Sequence, residues 1–442
     1  MPLLEAFLGR PIDRLTFADL QRLVETRAAE DTQLDFKRQL YDDGEEMAAD
    51  VVAMANSTGG AIVIGVEEKD GIASALLPVQ LSDQTAVQMR QWLASLTAPR
   101  VHDVDVRPIP SADPAAGVYI INVPRSPTFP HAVVKKMALR YYYRAGPARH
   151  PMSEAQVAEA YQSRFSRLRQ REERLEAITK AAAPSSYSDE PHFRAWVAVT
   201  LIPGYPGVMD ISARRLRELE KWADTVCEPL HRGMVHGNAR AFPNIERVSV
   251  TTRNKETDPP FGYYLHLYTD GAASAAGQLL TEDLVYGPGK PPAGLGIYAD
   301  ELVRKAAECL RVAASHASAN TGVRGSALVR CALHFASGPA RLGYAHFNSW
   351  EGYHPPREIP APALVGMPRG IDLDPVLSDP VEWMSATRVV VTDLFHAFAL
   401  PEVIQITEGG AFNTNYWRHD MLTGWKAVQD VPRVKETIQF LR

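Results

Sequence analysis

The chain has 442 residues, of which 45% are hydrophobic and 22% are charged, and this length and composition predict a soluble protein of two or three domains. Its formal net charge of −5 excludes a protein that coats nucleic acid with its whole surface, although a local basic groove remains compatible with it. The three cysteines are scattered, no apolar run approaches the roughly 20 residues of a membrane span, and the N-terminus lacks a signal-peptide pattern. We therefore predict a cytoplasmic protein without a membrane partner.

A helix and then a strand are predicted to open the first domain. Thr16 and Asp19 form a capping-box pattern that starts a helix ending near Arg27. LDFK, residues 34–37, is typical of a short strand whose side chains alternate between two faces. The alternation predicts two apolar side chains on one face and the Asp and Lys on the other.

A helix, a tight turn and a buried strand follow. Met47, Val51 and Met54 recur at helical spacing. The helix is predicted to end at Ser57–Gly60, because glycine adopts the left-handed conformation that a helix stop needs. The run AIVIGV, residues 61–66, is apolar throughout, as in a strand buried on both faces.

Acidic residues flank these two strands. Glu30 precedes the first strand, Asp35 lies on it beside Lys37, and Glu67 and Glu68 follow the second. Carboxylates bind hard divalent cations, and a metal-bound water can attack a phosphodiester, so the pattern suits a Mg²⁺ or Mn²⁺ site. A solvated acidic rim with one Asp–Lys surface pair explains the same spacing, and both interpretations stay open at this point.

The rest of the first domain mixes helices and strands. We predict a helix over 82–98, strands over 101–110, 118–124 and 138–144, and a long helix over 153–179. The order is not a strict βαβ repeat, which favours an α+β fold. The long helix admits three interpretations, namely a packed helix with a solvated face, a partner helix in a homodimer, or a basic edge for nucleic acid.

Basic residues are concentrated in residues 125–174, which contain eleven basic and four acidic residues, a formal charge of +7. Lysine and arginine bind phosphates, and tyrosine stacks on unpaired bases, so this run predicts a nucleic-acid surface. The nucleic-acid-binding residues that we predict are Arg125, Lys135, Lys136, Arg140, Tyr142 and Arg144.

A small, polar, proline-containing stretch separates the two predicted domains. We place domain boundaries at 1–180, a linker at 181–191 and a second α+β domain at 192–442. The sequence assigns this second domain no role, and a sensor and a partner-binding module are the two candidates. The elements predicted in the second domain include strands over 196–203, 261–271, 325–335, 341–348 and 403–410 and helices over 213–227, 298–319 and 386–399.

Histidines and aspartates in the second domain could be considered as metal ligands. Isolated pairs of such residues, however, usually form capping or core hydrogen bonds. The residues concerned are His231, His236, His396, His419, Asp393 and Asp420. No phosphate-loop motif occurs, so no motif supports ATP as a cofactor.

Several motifs of residues 16–165 together resemble the Schlafen AlbA-type domain. They are the pattern E-x4-D-F-K that starts at Glu30, the helix end A-N-S-T-G-G, the strand AIVIGVEE, V-P-x-S-x-x-P at 123–130, Tyr-Tyr-x-Arg within 141–144, and the Ser-Glu cap at 153–154. The resemblance implies a mixed sheet-and-helix domain that binds nucleic acid.

The resemblance also implies a catalytic site, because three carboxylates carry RNA cleavage in nuclease members of the family. The matching positions here are Glu30, Asp35 and Glu67 or Glu68, all four being predicted metal ligands. With Lys37 beside the metal, the predicted catalytic set is Glu30, Asp35, Lys37 and Glu67.

Two functions follow as expectations. The first is a metal-dependent ribonuclease that acts on tRNA or other structured RNA in antiphage defence or a stress response, with RNA favoured over DNA. The second is a non-catalytic, DNA-binding transcriptional regulator. The ribonuclease requires the carboxylates to converge on a metal, whereas the regulator requires only the basic surface. A third interpretation has the second domain as sensor or scaffold, with the first only docking it.

Overall fold

A computed structural model divides the chain into two compact units, residues 1–169 and 170–442. The structure describes residues 3–10, 12–101, 104–126, 128–182, 195–227, 239–253, 262–284, 294–335, 339–343, 359, 363–418, 421–422 and 425–435.

The first unit is α+β, as predicted. Its helices are α1 (Leu3–Leu8), α2 (Phe17–Glu25), α3 (Gly44–Ala55), α4 (Asp83–Leu96) and α5 (Glu154–Ala181), which continues into the second unit. Its strands are β1 (Leu34–Lys37), β2 (Gly60–Ile64), β3 (Val66–Lys69), β4 (Ile72–Leu76), β5 (Val79–Gln80), β6 (Thr97–Ala98), β7 (Asp105–Pro110), β8 (Ala116–Val123), β9 (Ala132–Lys135), β10 (Ala138–Ala145) and β11 (Ala148–Pro151).

A mixed five-stranded sheet lies at the centre of this unit. It has the order β1-β2-β8-β5, with β7 also paired to β8, and β1 and β2 run parallel. Alternate residues of β2 explain the layers, since Ile62 and Ile64 pack towards α3 and α4, whereas Ala61 and Val63 pack towards α1 and α2. A second sheet, β11-β10-β9-β6, lies beside α3.

The predicted helix start and helix stop are both confirmed. The Thr16 backbone N–H donates to Asp19 Oδ2 at 2.9 Å, and the Thr16 side chain accepts from the Asp19 N–H, which completes the capping box of α2. After α3, Gly59 has a φ of +75°, and a Cβ there would lie 2.5 Å from the Arg125 backbone nitrogen. The chain can therefore turn tightly into β2 only because this position lacks a side chain.

The second unit is also α+β. Its strands are β12 (Ala195–Pro203), β13 (Ala239–Asn244), β14 (Arg247–Arg253), β15 (Gly262–Tyr268), β16 (Ala273–Leu279), β17 (Thr281–Leu284), β18 (Gly294–Tyr298), β19 (Ser326–Phe335), β20 (Ala340–Gly343), β21 (Ala363–Val365), β22 (Arg369–Asp372), β23 (Phe412–Asn413) and β24 (Arg433–Val434). Its helices are α6 (Ala213–Cys227), α7 (Ala299–Ser315), α8 (Leu373–Ser378) and α9 (Pro380–Ala397). The large sheet has the order β13-β14-β15-β16-β12-β19-β21, with β22 also paired to β19.

One predicted strand of the second unit is wrong. Residues 403–410 form turns with a single isolated bridge between Ile406 and Phe412. Gly410 has a φ of +76° and approaches Val381, so the backbone bends where a strand would have to stay extended. The predicted helix over 213–227 is confirmed without change.

The boundary between the units lies inside α5 and not at residue 180. Leu175 and Ile178 are buried against Ile202 and Ala272, so the last turns of α5 belong to the second unit. Residues 183–191 of the predicted linker lie outside the described residues. Within the described ranges, no helix combines the length and apolar character needed to cross a membrane.

Candidate functional site

Asp35 lies between two cations on the inner side of β1. Arg144 Nη2 donates to Asp35 Oδ1 at 2.8 Å, and Lys37 Nζ lies 2.6 Å from Asp35 Oδ2. The strand alternation predicted from LDFK is confirmed, because Leu34 and Phe36 pack into the opposite apolar layer. Both carboxylate oxygens of Asp35 therefore face a positive charge.

Arg144 is an internal residue of the unit. Its side chain is 1% exposed, and besides Asp35 it donates to the backbone oxygens of Asp31 at 3.1 Å and Leu34 at 3.3 Å. A guanidinium that is enclosed and hydrogen-bonded in this way cannot reach a phosphate. The prediction that Arg144 contacts nucleic acid is therefore corrected, and its role is to fasten β10 to β1.

Asp50 of α3 extends this charged cluster, which sequence reasoning missed. Asp50 is buried, accepts a hydrogen bond from the Tyr41 hydroxyl at 2.8 Å and from Arg149 Nη1 at 2.7 Å, and lies 3.5 Å from Lys37 Nζ. Burial opposes a charge on Lys37, but the carboxylates of Asp35 and Asp50 outweigh it and raise the pKa of Lys37. Burial and the Asp50 charge raise the pKa of Tyr41, which stays a neutral donor.

Glu30 lies next to this cluster, and its side chain is partly buried. Its Oε1 accepts a hydrogen bond from the Phe36 backbone N–H at 2.7 Å. Burial raises the pKa of Glu30, the Phe36 N–H and the Lys37 charge oppose that change, and the charges of Asp35 and Glu68 add to it. The carboxylate thus approaches the predicted partners closely enough to feel their charges.

Glu67 and Glu68 lie on β3 and have separate partners. Glu67 Oε1 is 3.4 Å from Arg38 Nη1, and Glu68 Oε2 accepts from the Gly71 backbone N–H at 2.7 Å. Glu68 is exposed and Glu67 is partly exposed. Glu67 is therefore oriented toward Arg38, and Glu68 toward the turn of the β3–β4 hairpin.

The predicted metal site does not fit this arrangement. A divalent cation at Asp35 would have to replace Lys37 or Arg144, each of which already neutralises one carboxylate oxygen. Among the residues that the structure describes, no three His, Cys, Asp or Glu side chains are grouped so as to hold a metal ion. The geometry therefore gives no support to Mg²⁺ or Mn²⁺ at Glu30, Asp35, Glu67 and Glu68, and the metal stays a prediction. The alternative of a solvated rim with a surface pair agrees with the exposure of Glu67 and Glu68 but not with Asp35, which is 3% exposed.

The A-N-S-T-G-G motif fastens two other strands to the end of α3. The Asn56 amide donates to the His131 oxygen at 2.9 Å and to the Tyr142 oxygen at 2.8 Å, and its Oδ1 accepts from the His131 N–H at 2.7 Å. Ser57 Oγ accepts from the Arg144 N–H at 2.8 Å. Asn56 and Ser57 therefore both bind backbone groups of the neighbouring segments.

The V-P-x-S-x-x-P motif is fixed in the same place. The Ser126 N–H donates to the Ala55 oxygen at 3.0 Å, and Ser126 Oγ lies 2.5 Å from His131 Nε2. His131 Nδ1 lies 2.7 Å from the Pro99 oxygen, and the ring is fully buried. Ser126 therefore holds the fold together and has no free hydroxyl face for chemistry.

The exposed part of the predicted basic surface is the β9–β10 hairpin. Lys136 and Met137 form its turn, both with positive φ, and Lys136 and Arg140 are exposed. Lys135 contacts Glu45 in an ion pair. Arg125 is exposed, with its guanidinium carbon 5.9 Å from the Phe129 ring centre.

Tyr142 faces inward, whereas its two neighbours face the other side of the sheet. Tyr142 packs against the apolar layer of α3, and the Arg149 guanidinium carbon lies 5.2 Å from its ring centre. Tyr141 and Tyr143 instead contact Tyr161 and His150. The prediction that Tyr142 stacks on bases is therefore corrected.

The histidines singled out in the second unit form no metal site among the described residues. Asp393 accepts from the Met367 N–H at 2.8 Å and pairs with Arg369, and His396 Nε2 lies 3.1 Å from the Pro401 oxygen. These are the capping and core bonds that the spacing favours. The residues His231, His236, His419 and Asp420 lie outside the described residues.

Two solved structures show similarity to part of the chain. The DIP2311 protein of Corynebacterium diphtheriae is 19% identical over 33% of this chain and 32% of its own, with a TM-score of 0.22. The N-terminal domain of a RecG-related protein of Nitrosomonas europaea is 16% identical over 30% of this chain and 88% of its own, with a TM-score of 0.24. The match thus spans about a third of the C. diphtheriae protein. A search of curated proteins finds no match.

The Schlafen AlbA_2 family model matches residues 30–153. The match begins at Glu30 and ends at the Ser153 cap of α5, so it includes the charged cluster, the A-N-S-T-G-G turn and the β9–β10 hairpin. This agrees with the resemblance carried by the sequence motifs and supports a nucleic-acid-related function. The first unit of this chain therefore contains a Schlafen AlbA_2 domain.

Proposed function

We propose that the first unit binds nucleic acid through its exposed basic residues and that Asp35 serves the fold and not metal-dependent cleavage. The observation that carries this proposal is the position of Asp35 between Arg144 and Lys37, at 2.8 and 2.6 Å. Because Arg144 and Lys37 each face one oxygen of the Asp35 carboxylate, its charge is already balanced and attracts a further cation only weakly. Binding of phosphates requires only exposed positive charge.

The β9–β10 hairpin supplies such charge. Lys136 at the turn and Arg140 on β10 are exposed, and neither forms an ion pair with the residues that the structure describes. The two strands pair in register from Lys135 with Ala138 to Ala132 with Tyr141. The basic residues are therefore presented on a regular two-stranded element.

The test is a binding assay on the full chain with Lys136→Glu and Arg140→Glu combined. Affinity for fluorescently labelled structured RNA and duplex DNA should fall, and the log–log salt slope should decrease by about one unit for each phosphate that the variant no longer binds. Arg214→Glu is the matched control, since its side chain is 83% exposed on α6 of the second unit. Equal binding by the double variant and the wild type would contradict the proposal.

The metal-dependent ribonuclease is the second candidate, and one observation favours it. Burial raises the pKa of Glu30, the charges of Asp35 and Glu68 add to that rise, and a divalent cation would relieve the repulsion between these carboxylates. Cleavage of structured RNA is compared with Mn²⁺ and with chelator for wild type and Glu30→Gln. Mn²⁺-dependent cleavage that Glu30→Gln abolishes while RNA binding persists would favour the nuclease over the binding module.

A further inference from the structure

We infer that an aromatic face of the first unit, formed by Tyr141, Tyr143, His150, Tyr161 and Phe165, binds single-stranded nucleic acid by stacking on its bases. The inference rests on the proposed nucleic-acid-binding function and adds the strandedness of the ligand. None of these five residues belongs to the predicted site.

Strand alternation places the first three residues on one side of the second sheet. Tyr142 packs on the α3 layer and Arg144 reaches Asp35 of β1, so Tyr141 and Tyr143, at alternate positions of β10, must face the other side of the sheet. Tyr143 lies directly opposite His150 in the β10–β11 register, and their ring centres are 5.7 Å apart. Both residues have side chains that can stack on a flat base.

The first half of α5 adds two more rings. The hydroxyls of Tyr141 and Tyr161 are 3.1 Å apart, and their rings meet edge to face at 6.2 Å. Tyr161 and Phe165 are one helical turn apart and stack at 6.2 Å with 29° between their planes. Ring contacts therefore run from Tyr141 through Tyr161 to Phe165. The Tyr143–His150 pair lies two positions along β10 on the same side of the strand.

Phe165 shows that this face is not closed off by the described part of the unit. Its side chain is 64% exposed, and Leu139 on the same side of β10 is 52% exposed. An apolar helix position that packs into a core is buried, whereas Phe165 is exposed. The sequence interpretation of α5 as a helix with one packed stripe therefore holds for Leu175 and Ile178 but not for Phe165.

Charge and chemistry identify the occupant as a single strand. Residues 138–169 contain six arginines and two glutamates. Arg144 is buried against Asp35 and Arg149 pairs with Asp50, so four arginines and two glutamates remain around the face, and this local excess of positive charge favours a polyanion. Stacking on exposed rings needs bases that are not already stacked in a duplex, and it tolerates any sequence because every base has a π face. A basic protein partner would be repelled by these arginines.

The experiment measures full-chain affinity for a labelled single-stranded oligothymidylate and for a duplex of equal length. Phe165→Ala and Tyr143→Ala should each weaken single-strand binding about fivefold or more, with an unchanged salt slope, because stacking contributes about 1–3 kcal/mol per base. Duplex binding should change less than about twofold. Tyr143→Phe, which keeps the ring, should bind as the wild type does.

The control is Phe242→Ala, since Phe242 is 54% exposed on β13 of the second unit. Unchanged single-strand affinity in both alanine variants would overturn the inference and leave the basic hairpin untouched. A change in oligomeric state on Phe165→Ala with unchanged single-strand affinity would also overturn it, since the face would then be a protein contact. No binding by the wild type to any nucleic acid would defeat the proposed function itself.

Discussion

Asp35 Oδ1 and Arg144 Nη2 lie 2.8 Å apart, and the two side chains are 5% and 1% exposed. The two residues lie on strands β1 and β10 and are 109 positions apart in the sequence. A substitution at Asp35 therefore removes the partner of a buried cation. A loss of activity in such a variant would therefore reflect a destabilised fold and would not by itself show a catalytic role.

Asp35→Ala should destabilise the first unit by about 3–5 kcal/mol, because it leaves the buried Arg144 guanidinium uncompensated. Hydrogen exchange measured by mass spectrometry should show faster exchange in β1 and β10. The double variant Asp35→Leu with Arg144→Met should be less destabilised than the single variant, since it removes both charges. Unchanged exchange in Asp35→Ala would show that the pair contributes nothing to the fold.

Glu30→Gln should stabilise the protein at neutral pH and not at low pH. The folded-state pKa of Glu30 is raised above its ordinary value of 4.5, so folding favours the protonated form. That contribution is present below the ordinary pKa and is lost as the pH rises through the folded-state pKa. The gain from Glu30→Gln should stay below about 1 kcal/mol, because the side chain is partly solvated.

Urea unfolding of wild type and Glu30→Gln at pH 4 and pH 7 measures this difference. Glu25→Gln, at an exposed position of α2, is the control for the loss of one charge. A gain that is larger at pH 4 than at pH 7 would show that the pKa of Glu30 is lowered in the folded protein and would contradict the assignment.

Local pattern predicted most of the first unit because its signals act over a few residues. The capping box, the apolar run of β2 and the alternation of β1 depend on neighbours in the chain, and each is confirmed. The alternation also placed Asp35 and Lys37 on one face. The local sequence pattern could not show that this face of β1 is buried inside the first unit.

The candidate site was less predictable because its partners are distant in sequence. Arg144 looks like a surface cation in a basic run, and only tertiary structure brings it to Asp35. Which side of β10 each of the three tyrosines faces depends on the hydrogen bond from Asn56 to the Tyr142 backbone oxygen. Asp50 could have been found from the sequence, since an acid on an otherwise apolar helix face requires a partner.

Asn56→Ala should destabilise the first unit by several kcal/mol, about 1 kcal/mol for each of the three hydrogen bonds that it removes and more where a buried backbone group stays unpaired. Thermal unfolding measures the change. Asn244→Ala, at an exposed end of β13, is the matched control and should shift the midpoint little. Equal midpoints for the two variants would show that Asn56 does not hold β10 in place.

Glu308→Gln should destabilise the second unit far more than any surface charge change. Glu308 is fully buried on α7, where Oε1 pairs with Arg304 at 2.7 Å and Oε2 with Lys305 at 3.1 Å, and it also accepts from the Tyr263 hydroxyl. Glutamine keeps the shape but removes the carboxylate charge that faces the buried Lys305 and one of the two that face Arg304, which still pairs with Glu301. Breaking a buried ion pair costs about 3–5 kcal/mol.

Tryptophan fluorescence reports this unit selectively, because six of the seven tryptophans lie in residues 170–442. The urea midpoint of Glu308→Gln should therefore fall, whereas Glu218→Gln should leave it nearly unchanged, since Glu218 pairs with Arg215 on the exposed side of α6. Equal midpoints would mean that the charge of Lys305 is balanced by another group once Glu308 is neutral, as that of Arg304 already is by Glu301. A lower midpoint with unchanged nucleic-acid binding would show that the two units can be perturbed separately, which the proposed assignment of binding to the first unit requires.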